Sequence, residues 1–251
     1  MKSPRWTVPR LWPGATVAVI GGGPSLRVED LEAVRAAGLR AIAVNTAFKL
    51  APFADLLYFC DEEWIKQWRG DADFLAFAGL KVALQNARTW ELRPELAKSI
   101  LVVENYGGPE NGQHGLCEIP DGVNTGRSSG YQAVELAWKL GARRALLLGF
   151  DMRAVGSRTH WHSGTVLAHQ RQTEPKDYAK AMIPPWEALK RDLDARGFEL
   201  LNCTPGSALE PTIQFTPFCE ALARVEAERA AESAARAKAA AAEYTFAVAG
   251  H

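Results

Sequence analysis

This chain of 251 residues contains no Cys-x-x-Cys pair, no Gly-x-x-x-x-Gly-Lys-Ser/Thr loop, no apolar run of membrane-spanning length and no excess charge of either sign. Each absence removes a class of function. The cysteines, Cys60, Cys117, Cys203 and Cys219, are scattered, which excludes a zinc knuckle or a disulfide framework and makes reduced, packed thiols the expectation. The missing Walker pattern argues against an ordinary P-loop kinase. No run approaches the roughly 18 apolar residues that span a bilayer, and the opening Met1-Lys2-Ser3-Pro4-Arg5-Trp6 lacks a signal-peptide core, so a cytoplasmic protein is expected. With 29 basic and 29 acidic residues, no global field draws the protein to nucleic acid or an acidic membrane.

What is present is the material for one sizeable core, with 47% apolar residues, and an alternation of buried strands and helices. Residues 15–20 read as a strand, 28–37 as a helix stopped at Gly38, and 40–44 as a second strand, which together make a βαβ unit. A third strand covers 55–61, and weaker strands cover 81–84 and 100–104. Residues 105–125, rich in Gly, Asn and Pro, read as a long loop. A helix over 131–140, a strand at 145–148, a helix at 185–196 and a strand at 198–201 continue the pattern. From Thr216-Pro217 an Ala-, Glu- and Arg-rich stretch runs to Glu243 as a long helix. Its apolar stripe of Phe218, Leu222 and Val225 gives way to Arg229 and Ser233, so the distal half is expected to be an oligomer contact or a frayed tail. The expected fold is therefore α/β, a Rossmann-like open parallel sheet flanked by helices, with an arm over 1–13, the nucleotide-binding domain over 14–215 and an Ala-rich helical tail over 216–251.

Ligands of such sheets lie beyond the carboxyl ends of the strands, at a topological switch point. Val17-Ala18-Val19-Ile20 enters Gly21-Gly22-Gly23-Pro24-Ser25-Leu26, a turn able to bring backbone N–H groups to a phosphate. It departs from the dinucleotide fingerprint: Leu26 holds the third glycine position, and neutral Asn45 stands where an acidic residue would bind a ribose hydroxyl. A mononucleotide remains. Asn45 and Asp61 each close an apolar strand and suit either a ligand or a helix cap. Asn124-Thr125-Gly126-Arg127-Ser128-Ser129-Gly130 opens a helix with unpaired amides and hydroxyls, suited to a phosphate or carboxylate. The strand at 145–148 ends in Gly149-Phe150-Asp151-Met152. Thr159-His160-Trp161-His162 and then His169 follow, offering an acid/base pair of Asp151 with a histidine, or a metal held by Asp151, His160 and His162.

The order of these motifs resembles the CMP-sialic acid sialyltransferases of glycosyltransferase family 42, and equally the superfamily of 6-hydroxymethylpterin diphosphokinase (MptE-like) proteins, over about residues 15–205. Asn202-Cys203-Thr204-Pro205-Gly206-Ser207 is similar to a short Pro-Ser segment near the end of that domain. The Thr-His-Trp-His segment is similar to that of phage and prophage members. The sialyltransferase resemblance implies a nucleotide-sugar-dependent transferase with a CMP-type donor as substrate and no permanently bound cofactor. Gly22, Gly23, Ser25, Asn45, Ser128, Ser129, Gly130 and Gly149 would line the nucleotide site, and His160 or His162 would be the base. The diphosphokinase resemblance implies ATP with magnesium, held by Asp61 and Asp151. A third reading is a phage nucleotide-binding accessory protein without catalysis. The acceptor expected is a small molecule or glycan, ahead of DNA approached through Arg153, Arg158 and Arg171. A homo-oligomer joined through the C-terminal helix completes the expectations.

Overall fold

Eight strands, most of them runs of buried aliphatic residues, make up the sheet of the computed structural model, which describes residues 5–87, 89, 92–108, 115–163 and 174–249. They are β1 (Thr16–Ile20), β2 (Arg40–Val44), β3 (Leu56–Phe59), β4 (Leu80–Leu84), β5 (Ile100–Gly107), β6 (Gly122–Asn124), β7 (Arg144–Leu148) and β8 (Glu199–Asn202). Every pairing is parallel, in the order β6-β5-β4-β3-β2-β1-β7-β8. The helices are α1 (Val28–Ala36), α2 (Glu62–Trp68), α3 (Ala72–Ala76), α4 (Pro94–Lys98), α5 (Ser129–Lys139), α6 (Pro175–Asp177), α7 (Pro185–Asp194) and α8 (Phe218–Ala249).

A parallel sheet has both faces covered, which is why β1 and β7 are buried along their whole length. Side-chain alternation divides the core into two layers. Val17 and Val19 of β1 point to the layer holding Tyr131 and Val134 of α5 and Trp186 of α7. Ala18 and Ile20 point to the other, with Leu31 and Val34 of α1 and Phe218 and Val225 of α8. The chain winds outward from β1 to β6 on one side, then returns through α5 to place β7 on the other side of β1. The switch point therefore lies between the carboxyl ends of β1 and β7.

Two regions differ from expectation. The span expected as a long loop carries the end of β5 and the short strand β6, apart from residues 109–114, which lie outside the described residues. Two residues one turn apart on α5 hold the chain leading into β6. Glu135 is fully buried and accepts from the backbone N–H of Cys117 (2.6 Å) and of Asn124 (2.8 Å), while Lys139 donates to the carbonyls of Cys117 and Ile119. The second region is α8. Its apolar contact ends near Val225, yet docking continues through charge: Glu228 pairs with Arg143 and Arg144, Glu232 with Arg143, and Arg229 donates to the carbonyl of Ala37. The part expected from Arg229 onward to be an oligomer contact or a frayed tail is held to the domain for another turn, and residues 233–239 are exposed.

Candidate functional site

Gly21 to Gly23 leave the end of β1 and run directly against the segment leaving β7. Gly21 N donates to Leu148 O and Gly23 N to Gly149 O, both at 2.8 Å. None of the three glycines has a positive φ, so closeness of approach is what demands them. A Cβ on Gly21 would lie 2.6 Å from Gly149 O, and one on Gly23 would lie 1.9 Å from Asp151 Oδ2. Only Gly22 has room, its nearest neighbour being the His160 ring at 3.4 Å. Two of the three glycines thus serve packing between the loops.

Ser25 meets the same carboxylate. Its Oγ donates to Asp151 Oδ2 at 2.8 Å and its backbone N–H at 3.3 Å. Asp151 is only 2% exposed, and its Oδ1 is buried with no hydrogen-bond partner. Burial pushes its pKa up, against the lowering effect of the Ser25 bonds. The carboxylate is engaged with Ser25, not with a histidine, so the acid/base pair expected of Asp151 with a histidine, His160 or His162, has no counterpart among its hydrogen bonds.

At the next strand ends Asn45 and Ser129 come together, Nδ2 donating to Oγ at 3.3 Å, with Cys60 Sγ 2.9 Å from the same hydroxyl. Asn45 has φ of 51° and a buried Oδ1 with no hydrogen-bond partner. Burial, then the neighbouring Asp61, raise the Cys60 thiol, so it is a neutral group at physiological pH. Neither Asn45 nor Asp61 makes a side-chain helix cap: the turn at Asn45–Lys49 is entered through Val44, and Asp61 precedes α2 without a capping bond. Ser128 is a cap, accepting from Tyr131 N at 3.2 Å, and the amides of Ser129 and Gly130 at the start of α5 have no partner within the helix.

The histidine segment closes over the glycine turn. Trp161 N donates to Gly22 O at 2.9 Å, and Tyr178 Oη donates to Thr159 O. His160 Nδ1 lies 3.1 Å from Thr159 Oγ1, and its ring stacks on that of His162 with centroids 5.1 Å apart. Burial, then the neighbouring His162, push the pKa of His160 down to about 4, so it is neutral at pH 7. His169 and Arg171 lie outside the described residues.

These elements enclose a cleft of about 1330 Å³. Gly21, Gly22, Gly23, Asn45, Asp61, Ser128, Ser129, Gly130, Gly149, Asp151, His160 and His162 all line it. Pro24, Ser25 and Asn124 do not. Pro24 lies in the turn that Leu26 N closes onto Gly23 O, Ser25 bonds to the lining residue Asp151, and Asn124 is buried at β6 with its Nδ2 on Gly115 O. Lining residues without a sequence motif include Cys60, Trp64, Tyr178 and Met182, the last two on a π-helical turn at Tyr178–Met182. The walls also carry Glu62, Glu63, Glu174 and Asp177, against Lys66 and Arg127. Among the described residues no group of three or more histidines, cysteines and carboxylates is arranged to hold a metal ion, so the metal alternative for Asp151, His160 and His162 has no geometric counterpart.

No protein-family model and no curated protein matches the chain. Solved structures do. One is the MAf glycosyltransferase from Magnetospirillum magneticum AMB-1, with a TM-score of 0.51 and 17% identity over 90% of this chain and 40% of that one. Another is the sialyltransferase CstII from Campylobacter jejuni in complex with cytidine-5′-monophosphate, with a TM-score of 0.45 and 14% identity over 82% of this chain and 86% of that one. The chain spans well under half of the Magnetospirillum protein. The fold of the chain is thus similar to that of part of the Magnetospirillum glycosyltransferase.

Proposed function

We propose that the protein is a glycosyltransferase that takes its sugar from a nucleotide donor of the cytidine-monophosphate type and uses His160 as the base. The observation that carries the reading is a neutral imidazole held over Gly22 in the same switch-point cleft as the Asn45–Ser129 pair and the first turn of α5. A base must be unprotonated before it acts. In the tautomer that carries its hydrogen on Nδ1, facing Thr159 Oγ1 at 3.1 Å, Nε2 is left to receive the proton of an acceptor hydroxyl. The acceptor oxygen then forms the new glycosidic bond as the bond from the sugar to the phosphate oxygen breaks, and the nucleoside monophosphate leaves with the electron pair. The amides of Ser129 and Gly130 and the helix dipole of α5 offset the charge that develops on it.

The charge on the walls favours a monophosphate over a polyphosphate. Lys66 is already bridged to Glu62 at 2.5 Å and Glu63 at 3.1 Å, so the cleft as a whole is acidic. A diphosphotransferase using ATP needs carboxylates converging on one magnesium ion. Asp61 and Asp151 stand at the ends of β3 and β7, which are three strand spacings apart, or roughly 14 Å at ~4.8 Å per strand. That spacing disfavours one ion shared between them. Thermal-shift measurement with CMP, CDP, UDP, GDP and ATP, each with and without magnesium, tests the reading. Stabilisation by CMP in the absence of metal is expected, and a response to ATP with magnesium alone would replace it by the diphosphotransferase. We assign the acceptor to small molecules or glycans, and the exposed end of α8 to contact with a second copy of the chain.

A further inference from the structure

The turn after β1 has the composition of a phosphate cradle, yet what it cradles is a carboxylate. Ser25 offers both its hydroxyl and its backbone N–H to Asp151 Oδ2, and Gly23 has no side chain because that oxygen occupies the space. A phosphate brought to Gly23 and Ser25 would find those donors taken and a negative charge in place of them. The phosphate therefore belongs at the first turn of α5, and the Gly23 end of the cleft calls for a different group.

Asp151 Oδ1 identifies that group. It is a buried carboxylate oxygen with no hydrogen-bond partner, on a residue that lines the cleft, so it calls for a neutral hydrogen-bond donor. Dinucleotide-binding sheets place a carboxylate at the end of their second strand to bind ribose hydroxyls. Here Asn45 occupies that end, and the carboxylate arrives from the other side of the switch point, at the tip of β7. We propose that Asp151, positioned by Ser25, anchors the nucleotide by accepting a hydrogen bond at Oδ1 from a ribose hydroxyl. The proposal rests on the nucleotide reading above and specifies a ribonucleotide over a deoxyribonucleotide.

Calorimetric titration of the full chain with CMP, 2′-deoxy-CMP and 3′-deoxy-CMP tests it. Loss of a hydrogen bond to a charged acceptor weakens binding by about tenfold or more, so one or both deoxy compounds should bind that much more weakly than CMP. In Asp151→Asn the amide oxygen is drawn to the two donors of Ser25 and its NH2 replaces the acceptor, so the preference for CMP should disappear. Ser25→Ala should reduce the preference, and Ser25→Thr, which keeps the hydroxyl, should restore it. Equal affinity for all three compounds, or an Asp151→Asn protein that still discriminates between them, overturns the proposal while leaving the nucleotide reading intact. If the parent chain binds none of them at millimolar concentration, the nucleotide reading itself fails and the proposal with it.

Discussion

Replacing one glycine at a time in the turn after β1 separates packing from ligand binding. A methyl group on Gly23 would be placed 1.9 Å from Asp151 Oδ2, 2.9 Å from its Cγ and 2.6 Å from Gly149 O. Gly149 O cannot retreat, because it accepts from Gly23 N and its residue already holds a φ of +70° between two packed strands. Asp151 must then swing away and lose its bonds to Ser25. Overpacking of this kind costs about 1–3 kcal/mol, and a buried carboxylate stripped of its donors costs a further 1–3 kcal/mol or so. Gly23→Ala should therefore destabilise the protein by roughly 2–6 kcal/mol, lowering Tm by about 2–4 °C for each kcal/mol. Gly22→Ala meets only the edge of His160 at 3.4 Å and should stay within about 1 kcal/mol of the parent. Urea unfolding of the two variants measures the difference. Similar stabilities for the two, in either direction, would refute the assignment of Gly23 to the Asp151 contact.

His160→Ala should lower turnover by about 10²–10⁴-fold while CMP affinity, read by calorimetry, changes little. Because His160 is depressed to about 4 in the fold, below the ~6.5 of an unfolded chain, the unfolded state binds the extra proton first. Its contribution is whole above pH 6.5 and is lost as the pH falls toward 4, amounting to up to about 3 kcal/mol, and His160→Gln should flatten that part of the stability profile. An anionic donor bound beside the ring should raise this pKa, which NMR titration of the imidazole with and without CMP would register. Arg144→Ala removes a partner shared by Glu228 and Glu199, which keep Arg143 and Arg224, and should loosen α8 at a cost of about 1–2 kcal/mol in chemical denaturation.

The central strands were legible because a parallel strand covered on both faces is written as an unbroken aliphatic run, and β1, β2 and β7 agree with expectation to within one residue. β6 was not legible. It is three residues long, and its place depends on Glu135, a buried charged residue 11 positions further along the chain that no motif marks. The same absence hid the second half of the α8 attachment, where Arg229, Glu228 and Glu232 act as docking groups on what reads as an exposed surface. Strand ends at the switch point were readable as a set, since Gly21, Asn45, Ser129 and Gly149 follow apolar runs or open a helix. Their partners were not. Asn45 meets Ser129 from 84 residues away, and Ser25 meets Asp151 from 126 residues away, so the meaning of the glycine turn changed once the carboxylate opposite it was known. Tyr178 and Met182 carry no motif because a π-helical turn aims them into the cleft.

Titration of the protein with CMP in a metal-free buffer containing a chelator tests the central claim most directly. The account predicts saturable binding without magnesium, accompanied by an upward shift of the His160 pKa. Absence of CMP binding, together with saturable binding of ATP once magnesium is supplied, would contradict it.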